Sequence, residues 1–296
     1  MKGQSSLGAL LRLTASMVIF GTIGVFVRYI PLPSSVIAFF RGLVGMVFLL
    51  LAIRLMGKKV SVATIRGNLP LLCVSGAALG LNWILLFEAY RYTSVATATL
   101  CYYLAPIIIM LISPIVLKEK LTVRKALCII AALGGMVFVS GAATGGLPGA
   151  QEAKGVLFGL GAACLYATVV LLNKRISGIE ALDRTVVQLG VSAAVLAPYI
   201  FATENLFALL PALSPVSAAM LVFVAIVHTG VAYALYFSSI RDISAQTAAL
   251  FSYIDPVVAI LLSAFFLGEA MTVFSAIGAV MILGSALVSE LPEKTK

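Results

Sequence analysis

Asp255 stands directly before Pro256 in the middle of an apolar run, SAQTAALFSYIDPVVAILLSAFFL. A carboxylate at the centre of a membrane helix costs about 2.5–3.5 kcal/mol, so it must face water, a cation or a hydrogen-bond partner. Pro256 frees a backbone carbonyl one turn upstream and lets the helix bend there. These residue types fit a carboxylate that exchanges a proton or binds a cation. A hydrogen-bonded acid that holds a bent helix is the structural alternative. His228 is the chain's one histidine and lies mid-run in 213–238. It is either a proton relay or an imidazole satisfied by a neighbouring helix. It shares a depth with Asp255, and these two are the candidates for proton coupling. Arg41 lies about 10 Å inside the end of the run 34–56. Its fork can grip a substrate carboxylate, or its long stem can carry the charge out to the headgroups.

Aromatic and small polar groups fill out the candidate cavity. Tyr103 and Tyr253 each precede a proline by three residues, Pro106 and Pro256. They are expected to line one cavity from opposite sides. Tyr102, Trp83 and Tyr233, with Phe20, Tyr166 and Tyr236, are mid-run aromatics. A mid-membrane hydroxyl needs a partner, which either a polar cavity or a bond across packed helices supplies. Asn82, Thr99 and Gln246 are further candidates of the same kind. Glu88 and Arg91 read as an interfacial pair. Glu119 and Glu269 end two runs and read as matching gate or turn contacts. The four cysteines, Cys73, Cys101, Cys128 and Cys164, are scattered through apolar runs and read as small buried hydrophobes. No H-E-x-x-H and no G-x-x-x-x-G-K-[ST] occurs, so neither a catalytic site, a metal, a cofactor nor a nucleotide-driven cycle is expected of this chain.

These groups must be held by membrane helices. Of the 296 residues 62% are hydrophobic and only 10% charged, against about 25% charged in a soluble domain. The mean hydropathy is +1.14. A basic N-terminal flank precedes a first apolar run ending at Tyr29, too long for a signal-peptide core. Further runs occupy 34–56, 68–90, 95–116, 122–142, 155–173, 185–202, 213–238, 244–266 and 271–289. Each is close to the roughly 20 residues that span a bilayer, which predicts ten helices. The Gly-rich stretch 143–154 divides five from five.

The two halves repeat. Residues 94–122 and 244–272 align without a gap at an offset of 150, pairing Thr97/Thr247, Tyr103/Tyr253, Pro106/Pro256, Ser113/Ser263, Glu119/Glu269 and Thr122/Thr272. The register extends back through Arg91/Arg241, Phe87/Phe237 and Gly80/Gly230. Biased apolar composition does not place Gly, Arg, Tyr, Pro and Glu in step, so the chain is an internal duplication. Five spans per half is an odd number, so the second copy enters the membrane inverted relative to the first. With the N-terminus in the cytoplasm, sixteen of the twenty Lys and Arg fall on the cytoplasmic side. Three, Arg28, Arg91 and Lys154, fall on the other side, and Arg41 lies within a span. This follows the positive-inside rule and places both termini in the cytoplasm. The formal charge of +9 is thus an orientation device, and nucleic-acid binding is not expected.

The stretch Phe87–Thr122 with the Gly-rich 126–141, and its second copy through AIGAVMILGSALV, resemble the EamA repeat of the drug/metabolite transporter superfamily. Arg41 in IAFFRGLVGMV fits the same pattern. The resemblance covers nearly the whole chain and is weakest in spans six and seven. It implies an all-α integral membrane protein with ten transmembrane helices in two inverted five-helix repeats, 8–142 and 155–289, joined by the linker 143–154. It also implies a secondary transporter, an exporter of amino acids, aromatic ones included, or related metabolites. Inverted repeats are a physical route to alternating access. The expected partners are a small zwitterionic or cationic solute, the bilayer and protons, with a monomer sufficient in the cell membrane. A passive channel or facilitator is the alternative, and an intramembrane enzyme the weaker one.

Overall fold

The computed structural model describes residues 2–58, 60–116, 121–139, 149–211, 213–239, 251–269 and 271–290. Among them the regular structure is entirely helical. The elements are α1 Lys2–Arg28, α2 Ser34–Leu55, α3 Val62–Tyr92, α4 Val95–Tyr102, α5 Ala105–Val116, α6 Val123–Val139, α7 Ala150–Arg175, α8 Ala181–Thr203 and α9 Leu206–Leu209. They are followed by α10 Pro215–Ala225, a π-helical turn Ile226–Val231, α11 Ala232–Ser239, α12 Ile254–Leu267 and α13 Val273–Glu290. Seven helical stretches are long and apolar enough to cross a membrane, with Ile254–Leu267 and Val273–Val288 as shorter apolar helices. The outward-facing sides stay apolar, with Ile115, Phe207, Phe265 and Val280 among the exposed side chains. That pattern is unfavourable in water and fits lipid. The protein is an all-α integral membrane protein.

Two of the expected spans are interrupted, and a third contains a π-helical turn. The run 95–116 is two helices, broken at Tyr103 and Leu104, with Pro106 in the first turn of α5. Proline is tolerated there because its missing donor would be unpaired anyway. In the ninth run, residues 251 and 252 are helical, Tyr253 is a turn, and α12 starts at Ile254. Asp255 was expected at the centre of a continuous helix; it lies instead in the first turn of a half-helix. The run 213–238 is continuous but contains the π turn around His228 and Thr229, which hydropathy does not register. The remaining spans match expectation to within a few residues, α3 and α7 starting earlier. Residues 143–148 of the expected linker, 244–250 of the ninth run, and Glu119, Gln246 and Lys296 lie outside the described residues.

Helix α8 is wedged between α2 and α3, and glycines set the spacing. A Cβ on Gly42 would meet the Leu189 carbonyl and Ala193. One on Gly76 would lie 2.7 Å from Val191 Cβ and 2.8 Å from the Gln188 carbonyl, and one on Gly80 would meet Ser192. Small residues at such crossings let backbones approach closely in lipid. Polar bonds then fix the register: Gln188 Nε2 donates to Ser75 Oγ and to Asn173 Oδ1, each at 2.7 Å. The other principal contacts join α3 to α7, α1 to α11 and α12, α4 and α5 to α7, and α6 to α13.

Gly76→Ala is expected to destabilise the protein by about 1–3 kcal/mol, the usual cost of overpacking, and to lower the apparent Tm in detergent. Gly67, also inside α3, has nothing within 4 Å of an added Cβ. Gly67→Ala should be neutral or stabilising by up to about 1 kcal/mol. Equal Tm values for the two variants would show that the close crossing does not set stability.

Candidate functional site

Two concavities approach the middle of the bundle from opposite ends. The first is a cavity of about 430 Å³ lined by residues of α1, α3, α7, α8, α11 and α12 and of the break between α4 and α5, among them Tyr103, Tyr166, Gln188, Tyr233, Tyr236 and Asp255. Lys174 and Arg184 stand in its wall near the ends of α7 and α8. The second is a cleft of about 470 Å³ bounded by the α1–α2 connection, with Arg28, Phe87, Tyr90 and Arg91 in its wall.

Asp255 lies on the cavity wall because the break at Tyr253 starts a new helix there. Its place in the first turn of α12 sets the carboxylate against the positive end of that half-helix, which favours negative charge. The Tyr103 hydroxyl lies beside it and itself donates to the Ser252 carbonyl at 3.3 Å. The rings of Tyr103 and Tyr253 are 6.4 Å apart. The backbone is pinned from behind, because a Cβ on Gly21 would lie 2.5 Å from the Asp255 carbonyl oxygen and 2.7 Å from Val258 Cβ.

Arg41 is 3% exposed, so its side chain is enclosed by protein. Its Nε donates to Thr229 Oγ1 at 3.0 Å. Its guanidinium carbon stands 4.1 Å above the Trp83 ring and 5.5 Å from that of Phe87. Tyr90, Tyr102 and Tyr233 lie within electrostatic reach of it. Tyr90 and Tyr102 are also within electrostatic reach of Asp255, so the two charges share aromatic neighbours, and no ion pair joins them.

His228 is fully buried and stands off the cavity. Its Nε2 is 2.7 Å from Thr22 Oγ1, whose proton is directed to the Ile19 carbonyl at 2.8 Å. The imidazole therefore donates from Nε2, and Nδ1 has no hydrogen-bond partner. Phe26 and Phe223 pack edge-on at 5.2 and 5.6 Å. No hydrogen bond or ion pair joins His228 to Asp255. Asn82 is fully buried and donates to the Ala162 carbonyl at 2.6 Å, tying α3 to α7. Thr99 is buried in α4. Of the sequence candidates, Phe20, Tyr103, Tyr166, Tyr233, Tyr236 and Asp255 line the cavity, while Tyr253, expected opposite Tyr103, is not among its lining residues. Arg41, Trp83 and Tyr102 form the layer behind it. Sequence reasoning did not single out Gln188, Thr22 or Thr229. A glutamine in a membrane run was the available signal for the first, whereas Thr22 and Thr229 carry none without the fold.

The end of the bundle opposite Lys174 and Arg184 is tied shut. Arg28 Nη2 pairs with Glu269 Oε1 at 2.9 Å and donates to the Thr93 carbonyl at 3.0 Å. Glu269 Oε2 accepts from the Val95 amide at 2.8 Å, at the N-terminus of α4. Arg91 donates to the Leu32 carbonyl and pairs with Glu88 at 3.8 Å. The expected interfacial role of Glu88 and Arg91 matches this geometry. Glu269 does more than end a helix, since it joins α1, α4 and the end of α12.

The chain matches the EamA-like transporter family twice, over residues 7–141 and 153–290. It is 31% identical to "Uncharacterized transporter YxxF" of Bacillus subtilis (strain 168), over 94% of this chain and 88% of that protein. It is 27% identical to "Protein RarD" of Escherichia coli (strain K12), over 67% of this chain and 64% of that one. A solved structure described only as "Crystal structure of protein" superposes with a TM-score of 0.65 at 21% identity, covering 95% of this chain and 96% of that one, and so shares the fold. With the family matched over both halves of the chain, this membrane protein belongs to the EamA-like transporters of the drug/metabolite transporter superfamily.

Proposed function

We propose that the protein is a secondary transporter of the cell membrane that moves small zwitterionic or cationic metabolites such as amino acids by alternating access, in the export direction and coupled to protons through Asp255. The observation that carries the proposal is Asp255 itself. It is an acid on the wall of a roughly 430 Å³ cavity, at the mouth of a half-helix in a broken span, where coupling-ion and substrate sites of inverted-repeat carriers are built.

The contacts support two inverted five-span repeats. The first span meets the eighth and ninth, and the sixth meets the third and fourth; the second meets the seventh, and the fifth the tenth. Exchange of the halves maps this set onto itself. Repeat mates are used alike: Tyr29, at the end of the first span, donates to the Phe266 carbonyl at 3.5 Å. Arg175, at the end of the sixth, donates to the Val116 carbonyl at 2.8 Å, and Val116 and Phe266 are mates at the offset of 150. With basic loops on the cytoplasmic side, the cavity faces the cytoplasm and the Arg28–Glu269 tie closes the outside. A single copy contains the whole site.

Four outcomes are expected. In proteoliposomes, purified protein should catalyse saturable counterflow of its substrate, whereas non-saturable conduction would indicate a channel. Asp255→Asn keeps the shape but cannot titrate, and should abolish accumulation driven by a pH gradient; undiminished gradient-driven transport would remove Asp255 from coupling. Cysteines at Gly149 and Lys296 should label from opposite sides of the membrane, and labelling of both from one side would overturn the topology. Glu269→Ala should speed labelling of a Thr93→Cys thiol from outside about fivefold in a chain lacking the native cysteines, the effect of losing about 1 kcal/mol of closure. An unchanged rate would leave the ion pair no part in closing that end.

A further inference from the structure

Arg41 presents a charge that no described carboxylate neutralises. Among the described residues it takes part in no ion pair, and Nε–Thr229 is its one hydrogen bond. A guanidinium with 3% exposure and no carboxylate partner is costly, and breaking a buried pair by leaving one charge alone is the expensive case. Stacking on Trp83 at 4.1 Å offsets part of that cost and fixes the plane of the group, while Thr229 occupies only one of its five donors. The two Nη groups are the pair that grips a carboxylate side by side.

Its position is as specific as its chemistry. The rings around Arg41 belong to both concavities: Phe87 and Tyr90 stand in the wall of the outer cleft, and Tyr233 in the wall of the inner cavity. Arg41 therefore has rings of both concavities near it. Tyr90 and Tyr102 are within electrostatic reach of Asp255 as well. A solute with an ammonium at Asp255 and a carboxylate at Arg41 would use both charges.

We infer that Arg41 is the carboxylate-binding residue of the transport site, reached when the tyrosine layer moves, so that the substrate is a zwitterion carrying a carboxylate and a bare organic cation is not accepted. This rests on the transporter reading and narrows its substrate class.

Trp83 is the chain's single tryptophan and lies under Arg41, so its fluorescence reports this site directly. Purified protein is titrated with the proteinogenic amino acids other than tryptophan, whose own emission would interfere. Each amino acid that gives a saturable change is compared with its carboxamide and with its decarboxylated amine. The amino acid should bind roughly 10–100-fold more tightly than either derivative, the worth of a charge-assisted pair. Arg41→Met, which keeps the apolar volume, should erase that difference, and Arg41→Lys should keep part of it. Gel filtration and apparent Tm identify a variant that does not fold; in that case the comparison of derivatives on the unmutated protein decides alone. Equal affinity for acid, amide and amine overturns the inference, as does a silent Trp83 across the whole panel. Counterflow of a bare amine together with equal affinities would overturn Arg41's role and leave the transporter reading standing.

Discussion

A buried guanidinium with no carboxylate partner among the described residues is the constraint that shapes the centre of this fold. In a hydrocarbon-like interior polar groups look to the protein for partners, and the surroundings of Arg41 are drawn from three elements. Trp83 and Phe87 on α3 supply ring faces. The π turn between α10 and α11 brings the Thr229 hydroxyl to Nε. Gly45, one turn beyond Arg41, lets α2 close on that turn, since a Cβ there would lie 2.5 Å from Thr229 Cγ2. The same turn seats His228 against Thr22 of α1. One extra residue in a helix thus positions two groups, in line with the tendency of π turns to mark functional sites.

The second constraint is backbone. Breaking the fourth and ninth spans exposes peptide groups at a depth where lipid offers no hydrogen bonds. The breaks are tolerated because they face protein and a cavity. Tyr103 donates to the Ser252 carbonyl beside the other break, so the interrupted fourth span helps satisfy the ninth. The new N-terminus of α12 then provides a positive end near the Asp255 carboxyl. Gly21 of α1 packs directly on that turn, and Arg28 at the end of the same helix reaches Glu269 at the other end of α12. Helix α1 thereby touches both the candidate coupling residue and the closed end, and a shift of one against the other moves both.

Much of the fold was legible in the sequence because lipid imposes length and apolarity, and nearly every run became a helix within a few residues. The breaks were only half legible. Pro106 and Pro256 marked their neighbourhoods, but each proline sits inside the first turn after a break, which placed Asp255 at a helix start where a mid-helix was expected. Side-chain rotation was not legible at all. Nothing in the spacing of His228 and Asp255 says that one faces Thr22 and two phenylalanines while the other faces the cavity. Thr229 was invisible because its role depends on a π turn that leaves hydropathy unchanged. Arg41 was conspicuous as a charge in a span, yet its enclosure against the Trp83 ring was visible only in the fold.

The duplicated and the unduplicated residues divide by task. Groups that set helix breaks and crossings recur at the offset of 150: Tyr103/Tyr253, Pro106/Pro256 and Gly80/Gly230. Gly80 abuts Ser192 of α8 and Gly230 abuts Phe48 of α2, the two crossings that exchange when the halves are interchanged. The ionisable groups of the core do not recur: Asp255, His228 and Arg41 stand opposite Ala105, Ala78 and Val191. A two-state carrier needs two packings of nearly equal energy, which duplicated packing residues supply. On the proposal that the ligand carries one ammonium and one carboxylate, it must keep the same contacts while access switches. Mirrored charges would offer two competing orientations and double the number of buried charges to be satisfied. Symmetric packing with an asymmetric pair of charges avoids both costs.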